Sequence, residues 1–539
     1  MQRIYFSIKN KITMISKKNI GLYLGPLSFL FVKYFFHPEG LSPEANAILA
    51  GTVWIAIWWI TEAIPIAVTA LLPIILFPLT GGLSLSETTA SYGHMYVFLY
   101  IGGFILAIAI EKWKLHKRIA LTIIKIVGTN VNFIILGFMI ATAFLSMWIS
   151  NTASAVMILP VGMAIVSQLR DNPATIENEN IIFGKALMLA IAYSASIGGI
   201  STLIGTPPNL VLAGIIKQTY GIEISFAQWF SFGFPIAIIL LLICWIYLTR
   251  FAFKFKQKEF PGGREEIKKQ LQELGPISYE EKAVFLIFLL TAFAWITRSF
   301  LLKNFIPKID DTIIAIFFAV LLFIVPSKNK AIKLMSWEDA VKLPWGIVLL
   351  FGGGMALALG FEISGLAIWI GKQMTSLEAV SLFTLLLILV ASVNFLTEIT
   401  SNLATTAMLL PVLVSLAAAL GLHPFYLLFG ATLAASCAFM LPVATPPNAV
   451  VFGSGYLKIK DMVKAGVWLN LTSIVLLSLM IYYILPLLWN INLETYPFWD
   501  RTKIKARKYL RQNQDKTMNS STSTTIQCML IALTTILDN

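Results

Sequence analysis

Two short polar runs, Ser150-Asn151-Thr152 and Ser401-Asn402-Leu403, and two copies of Thr-Pro-Pro-Asn, at 206–209 and 445–448, carry the side chains whose types and spacing suit chemistry. Each run interrupts an apolar stretch. Hydroxyls and amides at the start of a helix, together with its free N–H groups and positive dipole end, form a neutral receptor for an oxyanion. Plain N-capping would use the same residue types, yet it does not explain two matching copies inside apolar stretches. The proline pairs remove backbone donors and disfavour helix just before them, which frees carbonyls around Gly205 and Ala444. Such carbonyls, joined by hydroxyls and amides, make an oxygen shell for sodium or another hard cation. No Lys, Arg or His occurs in 126–169, 186–216, 373–422 or 424–457. An anion held among these segments is therefore balanced by helix ends and co-bound cations, which favours cation-coupled uptake over a bare anion exchanger.

The elements that hold these runs follow from composition. Of 539 residues, 58% are hydrophobic and 12% charged, about half the charged share of a soluble chain, roughly 25%. The chain reads as an all-α polytopic membrane protein. Its net charge of +13 sits in short loops between apolar runs, at Lys112, Lys114, Lys117 and Arg118 for example, which is the pattern of cytoplasmic loops and gives no reason to invoke nucleic acid. Hydropathy supplies about eleven transmembrane helices. The stretches 131–168 and 379–420 are interrupted near their middle and read as re-entrant hairpins; 184–216 and 425–453 read as broken helices. The first apolar run, 20–36, has no cleavage pattern after it and reads as a retained span.

Self-comparison turns these breaks into a pattern. Phe144–Pro160 lies over Phe395–Pro411 at an offset of 251 with eight of 17 positions identical. The Thr-Pro-Pro-Asn runs match at 239, and Gly102-Gly103 matches Gly352-Gly353 at 250. The expected organisation is a basic cytoplasmic N-terminus (1–19), a first repeat (20–249), a cytoplasmic linker (250–281), a second repeat (282–488) and a peripheral or disordered tail (489–539). Keeping the basic loops on one side makes the two repeats inverted, which places the interrupted segments together at the midplane. Glu62 and Glu398 fall inside apolar runs, where a carboxylate is costly; each is expected to accept hydrogen bonds from a broken helix or to fix a hairpin, with proton carriage in coupling as the alternative.

Trp58-Trp-Ile-Thr-Glu-Ala-Ile-Pro65, Thr69-Ala-Leu-Leu-Pro73, Ser150-Asn-Thr152, its partner at 401 and both Thr-Pro-Pro-Asn runs stand in one order. In them the chain resembles the divalent anion:sodium symporter family over about 20–488. The resemblance implies a homodimer in the plasma membrane, the inner membrane of a bacterium, that carries its substrate by an elevator movement. It implies one sodium site at Ser146, Ser150, Asn151 and Gly205, and a second at Thr397, Thr400, Asn402 and Ala444. The substrate would lie against Asn151, Thr152, Ser401 and Asn402, with Thr206 and Thr445 lining the site. Leu403 departs from the Thr that some members have there. The expected function is sodium-coupled symport of C4-dicarboxylates, with sulfate, tricarboxylate or sodium-independent dicarboxylate exchange as the alternatives. An enzyme is disfavoured, because His37, His94, His116 and His423 all lie outside the paired interrupted segments.

Overall fold

The computed structural model describes residues 2–128, 130–170, 177–255, 263–329, 332–373 and 380–491, with side chains of 2–17, 168–170, 177–179 and 263–264 left aside. Among the described residues the elements are helices and turns, without a β-strand. Eight helices are long and apolar enough to cross a bilayer, and six shorter apolar helices accompany them. The expectations for 492–539 lie outside the described residues.

Each interrupted stretch resolves into two helices. Residues 131–168 become Val131–Ser146 and Asn151–Arg170, and 379–420 become Leu382–Leu396 and Asn402–Ala419. The first arms have 16 and 15 residues, which at about 1.5 Å per residue falls short of a core roughly 30 Å thick. Their starts are fixed by Asn130 and Ser381, whose side chains accept from Asn132 N and Thr384 N. The broken stretches become Glu177–Ile200 followed by Pro207–Tyr220, and Pro424–Ala435 followed by Pro446–Gly453. In both second halves the proline pair occupies the first helical turn, where a missing donor costs nothing. Helices Phe226–Ile246 and Ile459–Leu479 each run on into π-helical turns, at Tyr247–Ala252 and Met480–Ile484.

Packing crosses the two halves of the chain. Arm Asn151–Arg170 lies against Glu177–Ile200 and also against Pro446–Gly453, while arm Asn402–Ala419 lies against Pro424–Ala435 and Pro207–Tyr220. Each hairpin is thereby set beside the other half's Thr-Pro-Pro-Asn helix. Elsewhere Gln2–Phe35 packs along Pro43–Thr61, where Trp58 Nε1 donates to Gly21 O at 2.9 Å, and Met95–Lys112 packs along Asp311–Ile324.

One expectation changes. Glu62 is not in an apolar interior: it ends Pro43–Thr61 in left-handed backbone (φ 49°) and is exposed. The stretch 250–281, expected to be a linker, contains helix Gly263–Glu273, in which Ile267 and Leu271, four residues apart, give an apolar stripe against Leu115–Val127. Next to it Arg118 Nε donates to Glu281 Oε1 at 2.7 Å and Nη1 to Gly275 O at 3.1 Å, tying that helix to the start of Tyr279–Thr297.

Candidate functional site

The first hairpin turns through Met147–Ser150. Ser150 Oγ accepts from Ala153 N at 3.2 Å and its carbonyl from Ser154 N at 3.0 Å, so its hydroxyl starts the helix that presents Asn151 and Thr152. Ser146 is fully buried, and its Oγ lies 2.6 Å from Ala195 O and 2.7 Å from the Asn151 amide. A hydroxyl has one proton, so it cannot donate fully to two oxygens. Turning the Asn151 amide resolves the conflict, because its nitrogen then donates to Ser146 Oγ (2.7 Å), Gly205 O (3.2 Å) and Ala195 O (3.3 Å). With Oδ1 facing inward instead, four oxygens meet at this point: Ser146 Oγ, Asn151 Oδ1, Ala195 O and Gly205 O. An all-oxygen set of carbonyls, one amide and one hydroxyl suits a hard monovalent cation.

The second hairpin repeats this geometry. Thr397 Oγ1 lies 2.7 Å from Asn402 Oδ1 and 3.1 Å from Ala435 O, and Thr397 is fully buried. Again one hydroxyl proton faces two oxygens. Thr400 Oγ1 is engaged within its own hairpin, with Leu396 O at 2.9 Å and Thr405 Oγ1 at 2.7 Å. Ser401 precedes the helix without a side-chain cap, which leaves its hydroxyl unspent on the helix start. Leu403 is buried, 7% exposed.

The two Thr-Pro-Pro-Asn motifs hold their breaks by the same bonds. Asn209 Nδ2 donates to Gly199 O (3.1 Å) and Thr202 O (2.8 Å); Asn448 Nδ2 donates to Ala438 O (3.3 Å) and Leu441 O (3.0 Å). Donors and acceptors are both displaced by 239 positions. Thr206 and Thr445, each 3% exposed, stand at the helix starts in extended backbone; Thr445 Oγ1 accepts from Asn448 N at 3.3 Å. A Cβ on Gly199 would sit 2.5 Å from Asn151 Oδ1, so a side chain there displaces the amide.

Of the expected cation residues, Ser146, Asn151 and Gly205 come together, as do Thr397 and Asn402. Ser150 and Thr400 have their hydroxyls committed to local bonds. Ala444 N donates to Leu441 O at 3.2 Å and belongs to the second break. Sequence reasoning missed the carbonyls of Ala195 and Ala435. Their signal was available as a further matched pair, Ala195-Ser196 over Ala435-Ser436.

The buried Glu398 behaves as expected. Its Oε1 accepts from Phe439 N (2.8 Å), Met440 N (2.9 Å) and Asn470 Nδ2 (2.7 Å), and its Oε2 from Leu441 N (2.9 Å). The carboxylate thus fastens the second broken helix to its hairpin.

Comparison with known proteins places this architecture. Residues 17–490 match the family described as the sodium:sulfate symporter transmembrane region. The sodium-dependent dicarboxylate transporter SdcS of Staphylococcus saprophyticus is 50% identical over 477 residues, covering 87% of this chain and 91% of that protein. The protein of the same name from Staphylococcus aureus strain bovine RF122 is 49% identical over 481 residues, covering 88% and 92%. Among solved structures, the fold is similar to the YdaH transporter of Alcanivorax borkumensis (TM-score 0.53, 13% identity, 74% of this chain and 88% of that one). It is also similar to MtrF of Neisseria gonorrhoeae (TM-score 0.52, 13% identity, 84% and 97%). The chain belongs to the sodium:sulfate symporter family of multi-pass membrane transporters.

Proposed function

We propose that this chain is a plasma-membrane secondary transporter that couples sodium entry to the uptake of C4-dicarboxylates such as succinate, malate and fumarate. The observation that carries the reading is the oxygen cluster of Ser146, Asn151, Ala195 and Gly205, with its counterpart at Thr397, Asn402 and Ala435. The names of the Staphylococcus relatives, at 50% and 49% identity, support the same ion and substrate class.

In this reading sodium ions enter the two oxygen clusters and fix the Asn151 and Asn402 amides. The helix starts at Asn151-Thr152 and Ser401-Asn402, with Thr206 and Thr445 beside them, then offer N–H groups and hydroxyls to two carboxylates. Sodium and the dianion bind the same ordered state, so each raises the other's affinity. The recurring bonds support two repeats, which keeping the basic loops on one side makes inverted, with 131–168 and 379–420 as re-entrant hairpins. The hairpins and broken helices would travel together as an elevator against the remaining helices, within a homodimer.

The test is uptake of labelled succinate into proteoliposomes, with malate, fumarate, citrate and sulfate as competitors, in sodium and in potassium. The reading expects sodium-dependent uptake that malate and fumarate suppress. Sulfate or citrate as the stronger competitor would move the substrate assignment, and equal uptake in potassium would refute coupling.

A further inference from the structure

The two cation clusters match in their hydroxyl, amide and one carbonyl; the first adds Gly205 O, and the second has a buried carboxylate next to it in sequence. In the second half, the first part of the broken helix ends at Ala435, equivalent to Ala195 at an offset of 240, whereas in the first half it continues to Ile200. The second break therefore opens five residues earlier. The N–H groups exposed there, those of Phe439, Met440 and Leu441, all go to Glu398, which is 3% exposed. Asn470, wholly buried, supports it through Nδ2 and also accepts from Phe439 N at 3.1 Å.

The first half has no charge at the equivalent position, and its bonds there run to backbone carbonyls instead of from backbone N–H groups. Met147 stands at the position of Glu398, offset 251, and offers its carbonyl to Thr202 Oγ1. Gly233 and Gly466, 233 apart, mark one crossing point, since a Cβ on Gly233 would sit 2.6 Å from Ile200 O and one on Gly466 would strike Phe439 O. At that crossing the first half supplies a donor, Trp229 Nε1 to Ile200 O at 3.0 Å. The second half supplies acceptors, Asn470 and Glu398. Among the described residues Glu398 has no cationic partner; dipoles alone hold it. Glu398 follows Thr397 directly, and its bonded segment leads into Ala444.

We propose that Glu398 is the electrostatic positioning residue of the Thr397–Asn402–Ala435 cluster, making it the tighter of the two sodium sites and the first to fill. The proposal rests on the sodium reading above. The charge acts through the potential in which the neutral oxygens work, and its four hydrogen bonds hold Phe439–Leu441, a segment outside the Thr397–Asn402–Ala435 cluster.

The test compares sodium activation of succinate uptake in proteoliposomes holding the full chain, with sodium-dependent thermal stabilisation of the purified protein as a binding readout. Glu398→Gln removes charge and keeps size, and the sodium concentration for half-maximal uptake should rise on the order of tenfold. At saturating sodium the succinate KM should stay near that of the wild type. Asn470→Ala loosens the same segment with the charge kept, and Glu398→Asp shortens the reach with the charge kept; both should hold half-saturation within about twofold of the wild type. A wild-type sodium curve in Glu398→Gln overturns the proposal. So does a tenfold rise in either charge-retaining variant, which decides the matter even if Glu398→Gln does not fold. Uptake that ignores sodium in the wild type itself would sink the coupling reading and this proposal with it, whereas the variant outcomes bear on Glu398 alone.

Discussion

Arg298 Nε lies 2.7 Å from Asp311 Oδ1 at a point where the guanidinium is 1% exposed. The same guanidinium reaches Glu223 Oε1 at 2.5 Å, and Asp311 Oδ2 accepts from Phe226 N at 2.8 Å. One arginine thus joins the corner between Tyr279–Thr297 and Asp311–Ile324 to the turn that starts Phe226–Ile246. Removing one partner of a buried pair leaves an uncompensated charge, at a cost of about 3–5 kcal/mol. Arg298→Ala should therefore lower the melting temperature in detergent sharply, and Arg298→Lys, which keeps charge but loses the fork, should fall between. Equal melting of Arg298→Ala and wild type would mean that the cluster contributes nothing to holding these elements together.

Gly199→Ala tests the geometry of the first cluster without altering any polar group. The new methyl would press on the Asn151 amide, at 2.5 Å from Oδ1 and 3.1 Å from Nδ2. Overpacking of this kind costs about 1–3 kcal/mol, so the protein should fold, and if the strain falls on the cation-bound geometry sodium-dependent uptake at limiting sodium drops about five- to a hundredfold, since 1.4 kcal/mol is a factor of ten. Unchanged uptake in a folded variant would place the working cation elsewhere.

Asn209→Ala and Asn448→Ala each remove two side-chain bonds to buried carbonyls, of which Thr202 O and Leu441 O keep a backbone donor, Gly205 N and Ala444 N. Each loss is worth about 1–3 kcal/mol. Because the bonds are matched, the two variants should lose comparable stability by thermal melting, and both should lose uptake. A strong effect in one alone would show that the breaks are not mechanically equivalent.

Much of this arrangement was legible in the sequence because it was written twice. Ser150-Asn151 and Ser401-Asn402 sit where a polar pair has no reason to be unless a helix starts there, and the structure begins helices at Asn151 and Asn402. What stayed hidden has a physical pattern. Ala195 and Ala435 act through backbone carbonyls, which no residue type announces. The partners of Glu398 lie 41 to 43 and 72 positions away, and nothing local specifies such contacts. Glu62 was misplaced because apolar neighbours imply burial only while the helix continues, and the backbone turns left-handed at that residue.

The pair Lys112–Asp339 carries a pH prediction. Partial burial pushes the Asp339 carboxyl up, but Lys112 Nζ at 2.7 Å and the Ser336 donors outweigh it and hold the group at about 2, below its ordinary 3.8. A depressed folded value means that the contribution is fully present above 3.8 and is lost as pH falls through about 2. Lys112→Gln should lower stability above about pH 4 by the whole contribution of this partly exposed pair, about 1 kcal/mol or less, the deficit fading as pH falls through about 2, so that acid unfolding, followed by tryptophan fluorescence in detergent, moves slightly to higher pH. An unshifted acid transition would show that the pair is not what holds Asp339 ionised.

The measurement that bears most directly on the central claim is entry of radiolabelled sodium into proteoliposomes, with and without external succinate. Succinate should stimulate sodium entry in the wild type, and the stimulation should vanish in Asn151→Ala and in Asn402→Ala, each shown to be folded by its melting curve. Sodium entry indifferent to succinate, or stimulation that survives in both variants, would contradict a mechanism in which the two oxygen clusters bind the coupling ions.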